Sequence, residues 1–190
     1  MTIDRERVCA AVRELIIAIG EDPEREGLRR TPQRVADMFE EIYSGIGSDI
    51  EPEIAIYTTK NQDEMILLRD IPFYSMCEHH LLPFFGTVSI AYIPDNNRIT
   101  GFSSLARVVE MLARRPQLQE RMTTEIAETL MRVLKPLGVF VIIRAQHLCM
   151  AMRGVRKPGA WTVTSSMRGI MRKEATRLEA LSLMGERGSP

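Results

Sequence analysis

The chain has 190 residues, of which 45% are hydrophobic and 26% charged, and this length suits one domain or one domain with an extra subdomain. Its 25 Lys and Arg balance its 25 Asp and Glu, so overall charge gives no argument for binding nucleic acid or an anionic membrane. The first residues are charged, no apolar run could cross a bilayer, and an odd number of Cys fits a reducing compartment. We therefore expect a cytoplasmic protein without nucleic-acid or membrane partners.

The first part of the chain predicts a helical unit. Apolar residues recur at helical spacing over residues 3–19. Thr31-Pro32 then indicates a second helix, with Thr31 as the N-cap and Pro32 at the first helical position. A polar connector follows this helix. We therefore predict an N-terminal helical unit with its connector over residues 1–60 and a second domain over residues 61–190.

The second domain predicts two pairs of strands separated by two helices. The predicted elements are strands at 64–69 and 86–93, helices at about 103–114 and 117–135, strands at 139–147 and 161–166, and a last helix at 173–184. Pro72 interrupts the first strand, Ser103 or Ser104 caps the first of these helices, and a short strand through Ile99 should pair back. This order is typical of an α+β fold with an antiparallel sheet and helices on one face. Four strands leave two open edges, which pairing between subunits would cover.

The residues best suited to bind a metal are concentrated in two short segments. The chain has three His and three Cys, and Cys77-Glu78-His79-His80 holds two His and one Cys. His147 lies two places before Cys149, and on an extended chain both side chains project from the same face. Thiolate and imidazole are preferred ligands of Zn²⁺. Either four side chains close a structural site, or three bind and leave one position open to water.

A series of separated motifs runs along nearly the whole chain. They are Gly20-Glu21-Asp22-Pro23, Thr31-Pro32-x-Arg34-Val35-Ala36, Cys77-Glu78-His79-His80, Gly101-x-Ser103 with Arg107, Arg115-Pro116-Gln117-x-Gln119-Glu120-Arg121, His147-x-Cys149-Met150, Arg153-Gly154 and Thr164-Ser165. Together they resemble the GTP cyclohydrolase I family. The resemblance implies a tunnelling fold, with a four-stranded antiparallel sheet and two helices on one face, preceded by the N-terminal helical unit. It also implies a homodecamer of two stacked pentamers with active sites at subunit interfaces.

The resemblance further implies that GTP and water are converted to formate and dihydroneopterin triphosphate in a catalytic domain over residues 61–190. Cys77, His80 and Cys149 would bind Zn²⁺ and leave an open position for the water that attacks C8 of guanine. His79 and His147, which stay free of metal, would move protons as the imidazole ring opens.

The same resemblance assigns residues to the substrate. Glu120 would accept hydrogen bonds from N1–H and the 2-amino group of guanine, with Gln119 assisting nearby. Ser103 would contact the ribose. Arg107 and Arg153 match positions that bind the triphosphate, because guanidinium groups pair with phosphate in a bidentate manner.

Two positions depart from the family pattern. Ser104 stands where the family commonly has Lys, so we expect weaker GTP binding unless Arg156 or Lys157 compensates. Arg144 stands where many relatives have Glu, and on the strand its side chain should face away from His147.

Two other functions compete with the hydrolase. The Ser104 departure favours a non-catalytic paralogue that binds a purine nucleotide, but a binder needs no proton shuttles and both free His are retained. A reductase of the same fold would use a nucleophilic Cys, whereas Cys77 and Cys149 are expected to bind metal. Zinc content together with formate release from GTP separates the three.

Overall fold

The computed structural model describes residues 3–185, and the chain divides into two compact units between Ser48 and Asp49. The boundary that the sequence suggests at residue 60 lies further along the chain and stays a prediction. No helix within residues 3–185 is long and apolar enough to cross a membrane.

The first unit contains two helices, α1 (Arg5–Ala18) and α2 (Thr31–Ile42), which pack against each other. The carboxylate of Asp4 caps α1 by accepting a hydrogen bond from the backbone N–H of Arg7 at 3.0 Å. The predicted cap of α2 is wrong by one residue. Thr31 is already helical, and the N-cap position belongs to Arg30, whose side chain makes no capping hydrogen bond.

The second unit is built on a five-stranded sheet. Its strands and the two short strands beside it are β1 (Ile56–Thr58), β2 (Ile66–Cys77), β3 (Pro83–Ile93), β4 (Arg98–Thr100), β5 (Pro116–Gln117), β6 (Gly138–His147) and β7 (Thr162–Gly169). Its helices are α3 (Phe102–Ala113), α4 (Gln119–Val133), α5 (Leu148–Ala151) and α6 (Glu174–Met184). The order across the sheet is β5-β2-β3-β6-β7. The four long strands are antiparallel, as predicted, and the two residues of β5 add a parallel pairing to β2.

Strand β2 does not end where the sequence suggests. It continues through Pro72 to the first metal-ligand candidate, so the predicted interruption is wrong. Within the described residues, β2 pairs with β5 only at Met76 and Cys77, so the missing N–H of Pro72 removes no hydrogen bond on that side. The irregularity falls instead at Asp70, where the register shifts and φ is 59°.

Two further expectations about this region are corrected. The strand through Ile99 is β4, and it pairs with β1 of the connector rather than with β3. Helix α3 has Gly101 as its N-cap, and both Ser103 and Ser104 lie inside its first turn.

The main core lies between the sheet and helices α3 and α4. Because side chains alternate along a strand, every second residue of β3 and β6 faces these helices. The buried residues of this core include Val88, Ile90, Tyr92, Val139, Val141, Ile143, Leu105, Val108, Leu112, Met122, Ile126 and Leu130. The opposite face is covered at one end, where Ala91, Ile93 and Phe140 pack with Ala180 of α6 and with Met171 in the segment between β7 and α6. The two longer helices of this unit therefore share one face, as predicted, while α6 lies on the other.

Candidate active site

The strand register brings the two segments rich in His and Cys together. At the start of β3, Pro83 pairs with Met76 near the end of β2, and Phe84 pairs with His147 at the end of β6. β2 and β6 lie on either side of β3, and both end next to its start. The residues that follow β2 and β6 therefore lie at the same end of the sheet.

Three of the four candidate ligands form one cluster. The donor atoms of Cys77, His80 and Cys149 all lie within 4.8 Å of one another, and Cys77 Sγ is 4.0 Å from His80 Nδ1. Within residues 3–185 no other group of three such side chains meets this criterion. Zinc bonds of about 2.0–2.3 Å require only a small contraction of this triangle, and its thiol and imidazole donors suit zinc. His147 is outside the cluster, so the structure does not contain the closed four-ligand arrangement.

Cys149 reaches the cluster by a route that the sequence did not reveal. His147 is the last residue of β6, and the chain then turns into the single helical turn of α5. The expectation that His147 and Cys149 project together from an extended strand is therefore wrong. The turn is closed by a hydrogen bond from the backbone N–H of Met152 to the carbonyl of Leu148 at 3.0 Å.

The ligands experience opposing electrostatic effects. Burial raises the pKa of the Cys149 thiol, and the neighbouring Cys77 raises it further, whereas Arg153 lowers it. Desolvation lowers the pKa of His80, as do its electrostatic interactions with Arg153 and His79. These shifts favour the neutral imidazole, which is the form that binds metal, while a bound divalent cation would favour the thiolate.

The turn that carries the first ligands is fixed at both ends. The backbone N–H of Cys77 donates to the carbonyl of Leu82 at 2.9 Å, and that of Glu78 donates to Gln117 at 3.1 Å. The guanidinium of Arg121 on α4 donates from both terminal nitrogens to the Glu78 carboxylate, one of these bonds being 3.0 Å long. This fork lowers the pKa of Glu78 and ties the turn to α4.

His147 sits beside the cluster with its ring held on two sides. Its ring is parallel to that of Phe84, with 4.8 Å between the centroids and 1° between the planes. Its Nε2 is 2.8 Å from Oε1 of Gln119, which is only 1% exposed. Burial lowers the pKa of His147, although the negative charge of Glu120 opposes the shift. Sequence reasoning placed Gln119 at the guanine, whereas here its amide is inside the protein.

The remaining predicted site residues fall into two groups. Glu120 is exposed at the start of α4, and its charge raises the pKa of His147. Arg153 is exposed after α5, and its charge lowers the pKa values of His80 and Cys149. Both residues therefore lie at the metal end. Ser103 and Arg107 lie on the first turns of α3. That helix is about 18 Å long, and its last residue, Ala113, accepts a hydrogen bond from Ser75 near the metal end.

Ser103 and Arg107 are therefore at the far end of the sheet. The strand before α3 reaches Thr100, whose N–H donates to the hydroxyl of Tyr92, and Tyr92 pairs with Ile66 at the opposite end of β2 from Cys77. A single chain thus does not bring these residues to the metal cluster.

The family model described as GTP cyclohydrolase I matches residues 8–185. The chain belongs to the GTP cyclohydrolase I family. Its membership makes it an enzyme of a hydrolase family, and a non-catalytic paralogue is not favoured.

Relatives of the GTP cyclohydrolase I family match along almost the full chain. A protein named GTP cyclohydrolase 1 from Thermoanaerobacter pseudethanolicus is 56% identical, covering 97% of this chain and 99% of its own. Another of the same name from Caldanaerobacter subterraneus is 55% identical with the same coverage. Among solved structures, the crystal structure of the archaeosine synthase QueF-Like in the apo form is 17% identical, covers 58% of this chain and 97% of that chain, and has a TM-score of 0.43.

Sequence reasoning missed two contacts at the residues it selected. It did not foresee that Gln119 would bond His147, or that Glu53 in the connector would form an ion pair with Arg107 at 3.2 Å. A buried amide at the start of a helix leaves no periodic signal. A pairing between a connector and a helix depends on the folded path of the chain.

Proposed function

We propose that this chain converts GTP and water to formate and 7,8-dihydroneopterin triphosphate, and that its second unit is a tunnelling fold acting in the cytoplasm. The observation that carries the proposal is the cluster of Cys77, His80 and Cys149, with donor atoms within 4.8 Å, beside an imidazole that is not a ligand. Three protein ligands are typical of catalytic rather than structural zinc.

Zn²⁺ is the ion we propose for this cluster. Its two sulfur donors and one nitrogen donor are softer than the oxygen donors that calcium and magnesium require. When bound, zinc would act as a Lewis acid and make water a better nucleophile at neutral pH.

The residues beside the cluster supply the proton transfers and hold the base. We assign proton transfer during opening of the five-membered ring of guanine to His147 and His79. The neutral imidazole of a histidine side chain can accept a proton and return it. Glu120 is exposed next to His147, so its carboxylate can accept the two donors on the guanine edge. Arg153, near the ligands, is assigned to the triphosphate.

The ribose and phosphate contacts are assigned to a second copy of the chain. Ser103 and Arg107 lie at the far end of the sheet from the metal cluster, so one chain alone does not complete the proposed site. Within the described residues, β7 pairs only with β6, and most of β2 has one open edge. Edge-to-edge pairing would cover these strands, in keeping with a homodecamer of two stacked pentamers.

Zinc removal and restoration test the proposal directly. Purified protein should release formate from GTP, lose that activity in a chelator, and regain it with added zinc. Cys149→Ser should contain less zinc by elemental analysis and lose activity, whereas Cys9→Ser, outside the cluster, should keep both. GTP binding without formate release in zinc-loaded protein would contradict the proposal and favour the nucleotide-binding paralogue.

A further inference from the structure

The amide of Gln119 is surrounded by hydrogen-bond partners that fix which way it points. Its Nε2 lies 3.1 Å from each of three acceptors, the carbonyls of Ile143 and Thr162 and the hydroxyl of Thr164. Reversing the amide would place Oε1 against two carbonyl oxygens, which cannot donate. Oε1 must therefore be the atom that faces Nε2 of His147 at 2.8 Å.

The neighbouring hydroxyls complete a closed ring of hydrogen bonds. Thr123 Oγ1 donates its only proton to the backbone carbonyl oxygen of Gln119, which is 2.6 Å away. Thr164 Oγ1, 2.6 Å from Thr123 Oγ1, then donates to it and accepts from Gln119 Nε2. The two amide protons are shared among three acceptors, and two of these are carbonyls that cannot donate, so the amide orientation is set by the fold and not by His147.

The orientation of the amide determines the tautomer of the imidazole. Oε1 of Gln119 can only accept, so Nε2 of His147 must carry the proton, and Nδ1 carries the lone pair of the neutral ring. The parallel Phe84 ring covers one face of the imidazole, which restricts rotation of the ring.

We infer that Gln119 is a positioning residue, which holds His147 as the Nε2–H tautomer so that Nδ1 is the atom that exchanges protons with the substrate. This inference deepens the proposed function and rests on His147 acting in it. It replaces the guanine contact that sequence resemblance assigns to Gln119. The buried amide is enclosed by β6, β7 and its own helix, and is only 1% exposed.

Nitrogen NMR tests the tautomer without reference to activity. The chain has only three His, so protein labelled with ¹⁵N at the imidazoles gives few ring signals, and sedimented samples in the solid state remove any limit on particle size. His147→Asn identifies the signals of His147 by difference. The wild type should show Nε2 protonated and Nδ1 bare, and Gln119→Met should lose this preference. A wild-type His147 protonated at Nδ1 would overturn the inference.

Steady-state kinetics supply the second test. Gln119→Met keeps the length of the side chain but neither accepts from His147 nor donates to the carbonyls, so kcat should fall about tenfold or more while KM for GTP stays within about threefold. A raised KM with unchanged kcat would show that Gln119 binds guanine, and would overturn the positioning role.

Ser166→Ala is the control. Ser166 is also buried, and its hydroxyl accepts a hydrogen bond from Nη1 of Arg168 at 2.9 Å, but it belongs neither to the metal cluster nor to the contacts of His147. Both variants should lose thermal stability, but only Gln119→Met should lose kcat. If both lost kcat equally, the effect would be structural and the inference would fail. If wild-type protein released no formate, the proposed function would fail while the NMR measurement still decided the tautomer.

Discussion

Arg107, the side chain we assign to the triphosphate, is already paired within its own chain. Its Nη1 lies 3.2 Å from Oε2 of Glu53, and both side chains are largely exposed. A phosphate oxygen and this carboxylate would compete for the same donor. The carboxylate therefore opposes substrate binding at the proposed site.

Removing that carboxylate should tighten substrate binding. Exposed ion pairs contribute about 0.2–1 kcal/mol, so Glu53→Gln should lower KM for GTP by up to about fivefold with kcat unchanged. Glu51→Gln is the control, because Glu51 pairs with Arg132 instead and should leave KM unaltered. An equal fall in KM for both variants would point to general electrostatics, and no fall in either would contradict the competition.

Ser104 is not simply a missing positive charge. It is 3% exposed, and its Oγ accepts a hydrogen bond from the backbone N–H of Ala55 at 3.3 Å. A lysine there would break this bond and force an ammonium group into a buried position. We therefore expect Ser104→Lys to lower Tm without improving KM for GTP.

Thermal unfolding with a smaller substitution calibrates that effect. Ser104→Ala loses only the hydrogen bond, worth about 1 kcal/mol, so its Tm should fall less than that of Ser104→Lys. A stable Ser104→Lys protein with a lower KM would instead support the original expectation that the chain lacks a phosphate ligand.

Among the structural elements, α4 holds the metal-binding turn through the two hydrogen bonds from the guanidinium of Arg121 to the carboxylate of Glu78. Arg121→Lys would replace the two-nitrogen contact with Glu78 by a point charge, so the turn should be held less firmly. We expect a chelator to remove zinc up to about fivefold faster, as measured by release into a coloured indicator. Arg132→Lys is the control, because Arg132 lies near the other end of α4 and pairs with Glu51, and equal rates in both variants would contradict this role.

Sequence reasoning succeeded for elements with strong periodicity and failed where a single contact decides. The helical spacing of α1 and the apolar run of β6 predicted those elements, and the order of strands predicted the antiparallel sheet. Pro72 appeared to end β2 because a sequence does not show which strand edge is open. Cys149 lies on a helical turn of four residues, too short to leave a periodic pattern.

At the scale of the whole molecule, the metal cluster and the start of α3 lie at opposite ends of the sheet, so each proposed site needs residues from two copies of the chain. If each site combines two copies, two inactive variants should restore activity when mixed. His147→Asn lacks the metal-end imidazole and Arg107→Ala lacks the far-end guanidinium, so random assembly should leave about a quarter of interfaces with both intact.

The complementation assay is simple to read. Mixed and reassembled variants should regain roughly a quarter of wild-type formate release at low GTP, whereas the unmixed variants should not. Mixing His147→Asn with Cys149→Ser is the control, because both changes lie at the metal end and no interface is repaired. Failure of the first mixture, with assembly intact, would place the whole site within one copy.

We expect the two sulfur atoms of the cluster to make this enzyme sensitive to air as well as to chelators. Cys77 and Cys149 are free thiols whose sulfur atoms lie within 4.8 Å of each other. Peroxide that coupled them would withdraw two of three donors in one event and release the ion. Such an inactivated sample would recover only when a reductant is supplied before fresh zinc, an order that distinguishes oxidative loss from simple demetallation.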